Sequence, residues 1–392
     1  LTYSVRPFIY RTVEKQWRAM RAPNEEGWPH VKPFIFSCDS HINEPKTLWL
    51  DALPAALKDK ALRTRKDEKY FYVDGNGQTL MRMQVDDGVS GNEKIGRYDV
   101  NSRLKDMALD GIDAEIIFPT MGLLMSRLED RDLEVASCQI YNDWLLKHFA
   151  AHLETFVPAA ILPVADVSEA VAELKRCIAL GYTASMIPAG LPKTTPSYNK
   201  ADWDPLWELA CEHNHPFIVH AGTGVSTVSE RGPGAALINY MYSGRAAIDC
   251  VAYLVAGGGL DRFPKLRIAT MEAGASFLNQ LAEILDEIYP AHLHYVRPRL
   301  SRKPSEIISQ QVCAAFSHDR SAVAMRHFLG HQTLMFASDY PHLEGSFPHT
   351  REAVEENFRD LNVPDNEIRD ILGRTAAKLF GLKNAKAFEE AA

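Results

Sequence analysis

Short, mostly apolar runs alternate with longer stretches of helical spacing along most of this chain. The first run is Phe34-Ile35-Phe36, and from Ser102 onward the rhythm is regular. The spacing predicts helices over 102–110, 130–152, 167–180 and 205–213, each followed by a strand, over 114–119, 156–162, 184–187 and 216–220. A helix over 235–256 leads through Phe263-Pro264 to a strand over 266–271 and a helix over 275–288. Residues 311–316 read as the seventh strand and 334–337 as the eighth, with a helix over 321–329 between them and closing helices from Arg351 and Pro364. Strands without a polar face are buried on both sides, as parallel strands under helices are. Eight of them alternating with helices predict an α/β fold, a (β/α)8 TIM-like barrel, with a doubly wound open sheet as the runner-up.

Two stretches break the rhythm. Residues 1–32 mix Tyr3, Phe8, Tyr10 and Trp17 with charges and end at Gly27-Trp28-Pro29, which predicts an N-terminal arm ahead of a barrel over 33–392. Residues 51–97 leave the end of strand one as an insertion, with hairpin character around Asp74-Gly75-Asn76-Gly77. Loops after barrel strands build the active-site face, so the insertion is expected to wall or cover the mouth. Gly257-Gly258-Gly259 ends a helix and is no phosphate loop.

Polar residues stand where the apolar runs stop. Asp39 and His41 follow the first strand two apart, and residues two apart on a strand share a face. Strand five ends in His220, strand six in Glu272, and strand eight runs into Asp339-Tyr340-Pro341-His342. An Asp-x-His alone is usually a turn or cap, and a lone histidine after a strand is usually a hydrogen-bonded core residue. Their recurrence at strand ends that ring one mouth points to a metal centre of Asp39, His41, His220 and Asp339. Mixed imidazole and carboxylate donors suit iron, manganese or zinc. With Glu44, Glu272 and His342 there are too many donors for one tetrahedral ion, and the set predicts a second ion, iron or manganese being favoured and zinc the alternative. Glu272 beside such an ion is also a candidate general base, and Glu44 and His342 are alternatively groups that orient the ligands. Arg231, with Ser226 in the loop after strand five, and Tyr340 are candidate substrate contacts.

Composition narrows the partners. A net charge of -8 without a Lys/Arg run argues against nucleic acid and acidic membranes and for a small-molecule substrate. Six scattered cysteines read as reduced thiols, and no apolar run spans a membrane, so a cytoplasmic location is expected.

The motifs Asp39-x-His41-x-x-Glu44-Pro45, Gly111-Ile112-Asp113, Ile218-Val219-His220, Glu272-Ala273-Gly274-Ala275 and Ser338-Asp339-Tyr340-Pro341-His342 resemble the amidohydrolase superfamily over about 34–381. The most similar branch is typified by aminocarboxymuconate-semialdehyde decarboxylase and γ-resorcylate decarboxylase. That resemblance implies one zinc or manganese held by Asp39, His41, His220 and Asp339, with an acid/base histidine at the end of strand six, where this chain has Glu272. The larger donor set is similar to dinuclear members such as 2-aminoisobutyrate hydroxylase, which implies dioxygen as cosubstrate and hydroxylation of a small carboxylate-bearing molecule. The alternatives are a mononuclear zinc or manganese hydrolase or non-oxidative decarboxylase with Glu272 as base, and a supporting subunit of a hetero-oligomer with a paralogue. A homo-oligomer is the other expected assembly.

Overall fold

The computed structural model describes residues 33–84, 95–224 and 228–382; the expected arm, ten residues of the insertion and Ser226 lie outside the described residues. The strand-to-strand register runs around a closed ring. Strand one is β1 (Phe36–Ser37) and β2 (His41–Ile42), both parallel to β6 (Ala114–Pro119), with Phe36 opposite Ala114 and His41 opposite Phe118. Next come β7 (Phe156–Pro158) and β8 (Ala160–Ile161), then β9 (Ser185–Pro188), β10 (Phe217–His220), β11 (Ile268–Met271), β12 (Val312–Phe316) and β13 (Leu334–Phe336), each parallel to its neighbour. The ring closes where the Cys38 N–H donates to Phe336 O at 2.9 Å and the His41 N–H to Tyr340 O at 2.7 Å. This is the predicted TIM-like barrel, and the chain order of its strands is the order in which the apolar runs occur.

Local chemistry explains why the elements start and stop where they do. Asp99, Asp130 and Asp166 each accept a backbone N–H in the first turn of the helices Val100–Asp110, Arg131–Phe149 and Val167–Leu180. Gly111 and Gly181 end the first and third of these in the left-handed region, at φ 81° and 100°. The predicted helix over 235–256 is two, Ala235–Ser243 and Arg245–Ala256. It breaks at Gly244, where a Cβ would stand 3.2 Å from Ala273 Cα, so the chain bends against the end of strand six. The helical spacing after Leu48 is likewise interrupted at Pro54, leaving the helix Leu48–Ala52 and a 3-10 turn over Ala55–Lys60.

The insertion forms an antiparallel sheet of β3 (Arg63–Lys66), β4 (Tyr70–Gly75) and β5 (Gln78–Gln84), turned by Asn76 and Gly77 at φ 50° and 74°. It is tied to the segment that follows β6. Trp49 Nε1 donates to Ser137 O at 3.1 Å, Lys60 pairs with Asp130 at 2.6 Å, and the Asn76 amide donates to Leu128 O at 2.7 Å. These contacts hold it against the turn at Leu128–Asp130 and the helix Arg131–Phe149. Among the described residues no helix is long and apolar enough to cross a membrane, and all six cysteines are free thiols.

Candidate metal centre

Strand one, strand five and strand eight deliver their terminal polar residues to one buried point. His41 Nε2 lies 3.2 Å from Asp39 Oδ1 and 3.7 Å from Asp339 Oδ1, and His220 Nε2 lies 3.3 Å from Asp39 Oδ1. His41 and His220 are fully buried, and Asp39 and Asp339 are nearly so. Both imidazoles are oriented from behind. His41 Nδ1 sits 2.7 Å from Pro119 O and His220 Nδ1 sits 2.9 Å from Ala221 O. A carbonyl only accepts, so each Nδ1 carries a hydrogen, and it is Nε2 that faces the carboxylates and would give its lone pair to a metal.

Two atoms of this cluster are buried without a hydrogen bond, His41 Nε2 and Asp339 Oδ2. Buried polar atoms are normally satisfied, and a lone-pair nitrogen surrounded by carboxylate oxygens is satisfied by a cation. Asp39, His41 and His220 each offer a donor atom within 4.8 Å of the others, and so do His41, Asp339 and His342. The donors present therefore fit a divalent transition metal.

The balance of protons fits the same description. Burial pushes Glu272 up to about 8 and Asp339 up to about 6, while His220 draws Asp39 below the usual carboxylate range in spite of its burial. Burial lowers His220 and His342, yet neighbouring carboxylates win and raise them to about 10 and about 9; His41, with burial dominant, falls to about 4. Protons hold these like charges together, and a divalent ion would take their place.

Glu272 and Asp339 share a backbone oddity. Both are non-glycine residues in the left-handed region, at φ 58° and 53°. Both sit just past the end of a strand, and their carboxylates come within 4.8 Å of each other. Glu272 Oε2 comes to 3.7 Å of His220 Nδ1 and remains partly exposed. His342 Nδ1 donates to Asp339 Oδ1 at 2.8 Å, and its ring lies 4.3 Å from that of His41.

Other predicted residues go elsewhere. Glu44 does not join the cluster: its Oε1 and Oε2 accept the backbone N–H groups of Gly122 and Met121 at 2.8 and 3.0 Å, tying the loop after strand one to that after strand two. The second ion loses the ligand expected from it. Tyr340 is not a substrate contact either, because it is buried with its hydroxyl donating to Asp106 and its ring 4.8 Å from the Arg103 guanidinium carbon. Arg231 is exposed.

The Glu44 clamp carries a pH signature. Burial raises its carboxyl to about 7 against the pull of those two N–H groups. A raised folded-state value means that the folded protein binds the proton more tightly than the unfolded chain. Stability should therefore fall as pH rises from the ordinary glutamate range toward 7. Glu44→Gln should flatten that segment of the stability profile, read by urea denaturation at stepped pH, while leaving metal content unchanged.

Two residues were not visible in the sequence. Glu344 is exposed, yet it brings a carboxylate oxygen within 4.8 Å of donors on Glu272 and Asp339. Tyr240 rides on the helix Ala235–Ser243, whose end is fastened by the Gly222 N–H to Ser243 O at 3.1 Å. Tyr240 is half exposed, and partial burial first, then the carboxylates of Glu272, Glu344, Asp339 and Asp39, push its phenol up. An exposed glutamate and a tyrosine in a helix have no distinguishing pattern in one sequence.

Comparison with known proteins agrees with this architecture. Curated relatives include a decarboxylase of Emericella nidulans, 27% identical over 35% of this chain and 44% of its own length. Another is a 2-keto-4-carboxy-3-hexenedioate hydratase of a Sphingobium species, 25% identical over 42% of this chain and 49% of its own. The chain thus spans about half the length of the curated relatives it matches. Among solved structures, an amidohydrolase of Mycobacterium avium subsp. paratuberculosis superposes with a TM-score of 0.74 at 19% identity, covering 90% of this chain and 99% of that one. A manganese-bound 5-carboxyvanillate decarboxylase of Novosphingobium aromaticivorans gives 0.66 at 16% identity, covering 92% and 99%. Residues 92–382, from the last part of the insertion through the last strand and its closing helices, match the amidohydrolase family model, and the chain belongs to that family.

Proposed function

We propose that this protein is a metal-dependent enzyme that decarboxylates a small carboxylate-bearing molecule without an oxidant. The observation that carries the metal dependence is the pair of buried, unpartnered atoms, His41 Nε2 and Asp339 Oδ2, beside Asp39 and His220. These four residues would hold one divalent ion. When bound, the ion supplies a fixed positive charge that anchors and polarises oxygen atoms of the substrate.

The chain's own residues account for the rest. Glu272, just past the end of strand six and reachable from solvent, is the group placed to handle a proton. As the bond between the substrate carbon and its carboxylate breaks, the electron pair stays on that carbon and takes the proton from Glu272. Carbon dioxide leaves, and Glu272 regains a proton from water. His220 Nδ1, bonded to Ala221 O, lies 3.7 Å from that carboxyl and contributes only through charge. Decarboxylases among the similar proteins support this reading, and the Sphingobium hydratase favours a second one, in which Glu272 acts as base toward water. The dioxygen chemistry expected from seven donors has less behind it: Glu44 is committed to backbone, and none of the similar proteins named above is described as an oxygenase.

The test is carbon dioxide release from a panel of hydroxylated benzoates and conjugated di- and tricarboxylates. Manganese-loaded protein should release it, metal-free protein should not, and Glu272→Gln should slow it by about 10²–10⁴-fold. Water addition without carbon dioxide would select the hydratase. Equal rates with and without metal would overturn both.

A further inference from the structure

Glu272 stands where the chain leaves strand six, in a backbone conformation that must be held. At φ 58° it is a non-glycine residue in the left-handed region, a state that persists only where the surroundings over-determine it. Three constraints converge on the turn it opens. The Ala221 N–H, just past strand five, donates to Met271 O at 3.0 Å, and Ala273 Cα lies where a Cβ on Gly244 would stand 3.2 Å away. The third comes from the loop after strand seven, where Asp319 Oδ2 accepts the N–H groups of both Ala275 and Ser276 at 2.8 Å.

That third constraint is a helix cap supplied from another strand. Ser276 precedes the helix Phe277–Ala291 and makes no capping bond of its own, so the helix takes its cap from Asp319. Gly274, at φ 70°, passes so near that a Cβ there would lie 3.3 Å from Asp319 Oδ2. The other carboxylate oxygen serves its own loop: Oδ1 accepts the Ser321 hydroxyl at 2.7 Å and the Ala322 N–H at 3.0 Å, at the start of the helix Arg320–Ala324. One carboxylate thus starts two helices. Asp319 is itself fixed, because the buried Asn357 side chain accepts its N–H at 2.9 Å and donates to Ser317 O at 2.7 Å. Burial alone would raise the Asp319 carboxyl, yet the Ala275 and Ser276 N–H groups, with Ser321 and Ala322, outweigh it and bring it below the ordinary range.

We propose that Asp319 is the positioning residue for Glu272: by clamping the Ala275 and Ser276 N–H groups it fixes the turn that keeps the Glu272 carboxyl beside His220 and Asp339. It acts through the backbone. Its effect on rate rests on the proton transfer by Glu272 proposed above, whereas the clamp itself does not.

The experiment compares Asp319→Ala and Asp319→Asn with the parent, all manganese-loaded, on the panel compound that the parent decarboxylates fastest. Asp319→Ala should lower kcat by about 10²-fold, as a misplaced group does, with KM and bound manganese near the parent's. Asp319→Asn should recover most of that loss, because it has no charge but can turn its amide oxygen to Ala275 and Ser276. Added to Glu272→Gln, Asp319→Ala should change kcat no further, since the group it positions is already gone. In crystals the turn over 272–276 should shift in Asp319→Ala and keep its place in Asp319→Asn. An unmoved turn in Asp319→Ala would overturn the inference, and so would a further fall in kcat on the Glu272→Gln background, which would make Asp319 a general support of the mouth. Parent-like kcat in Asp319→Ala beside a slow Glu272→Gln would overturn it while leaving the proposed function standing. Parent-like kcat in Glu272→Gln would overturn the proposed role of Glu272, and the effect on rate inferred here with it.

Discussion

Replacing His220 with alanine should yield a folded protein that no longer retains metal through dialysis. Its imidazole is the donor that strand five supplies to the centre, and it is fully buried. Even removing a group that merely orients a ligand weakens metal affinity by about 10–100-fold, and losing the ligand itself should exceed that. The fold should survive. The backbone at 220 is fixed independently of the ring, with the Thr223 hydroxyl donating to His220 O at 2.6 Å and β10 paired on both sides by β9 and β11. The vacated space among His41 and Phe118 should cost roughly 2–4 kcal/mol, as large-to-small core changes do. Metal analysis after dialysis, with circular dichroism as the control for fold, checks the result. Unchanged metal content would make His220 an ordinary core histidine.

The reason this residue could be picked from the sequence is that barrel strands are buried on both faces. Phe217-Ile218-Val219 has no polar position, so the histidine that ends it stands out, and the charges of Glu272 and Asp339 stand out likewise just past Ile268–Met271 and Leu334–Phe336, whose positions carry no charge. Helix starts were legible where an aspartate cap precedes them, as at Asp130 and Asp166. What could not be read are commitments made across long sequence distances. Glu44 looks like a ligand until its partners, the N–H groups of Met121 and Gly122, are seen beside it, and Tyr340 looks like a substrate contact until Asp106 is found under its hydroxyl. The break at Gly244 has the same origin, since Ala273 imposes it from another element. Glu344 escaped for the opposite reason: a surface glutamate carries no periodic or positional signal.

The largest loss of stability from changing one polar side chain is expected at Arg103. This arginine is fully buried on the helix Val100–Asp110, with Nε 2.6 Å from Oε2 of the equally buried Glu115 on β6. Its Nη1 donates to His41 O at 2.7 Å, and its guanidinium lies against the Tyr340 ring. One side chain thus joins the second strand, the backbone of a proposed metal ligand and the segment after strand eight. Arg103→Met fills similar space but leaves the Glu115 charge buried without its partner, and breaking a buried pair from one side costs about 3–5 kcal/mol. Arg103→Lys should recover little of it, because an ammonium lacks the planar fork whose separate nitrogens reach Glu115 and His41 O and cannot lie flat on the ring. Removing both charges, as Arg103→Met with Glu115→Leu, should restore most of the stability. It should not restore metal affinity, because His41 O stays without its donor and the strand that presents the imidazole is less firmly held. Urea denaturation of the three variants measures the first effect and metal titration the second. Parent-like affinity in the double variant would confine Arg103 to the fold and exclude it from positioning the centre.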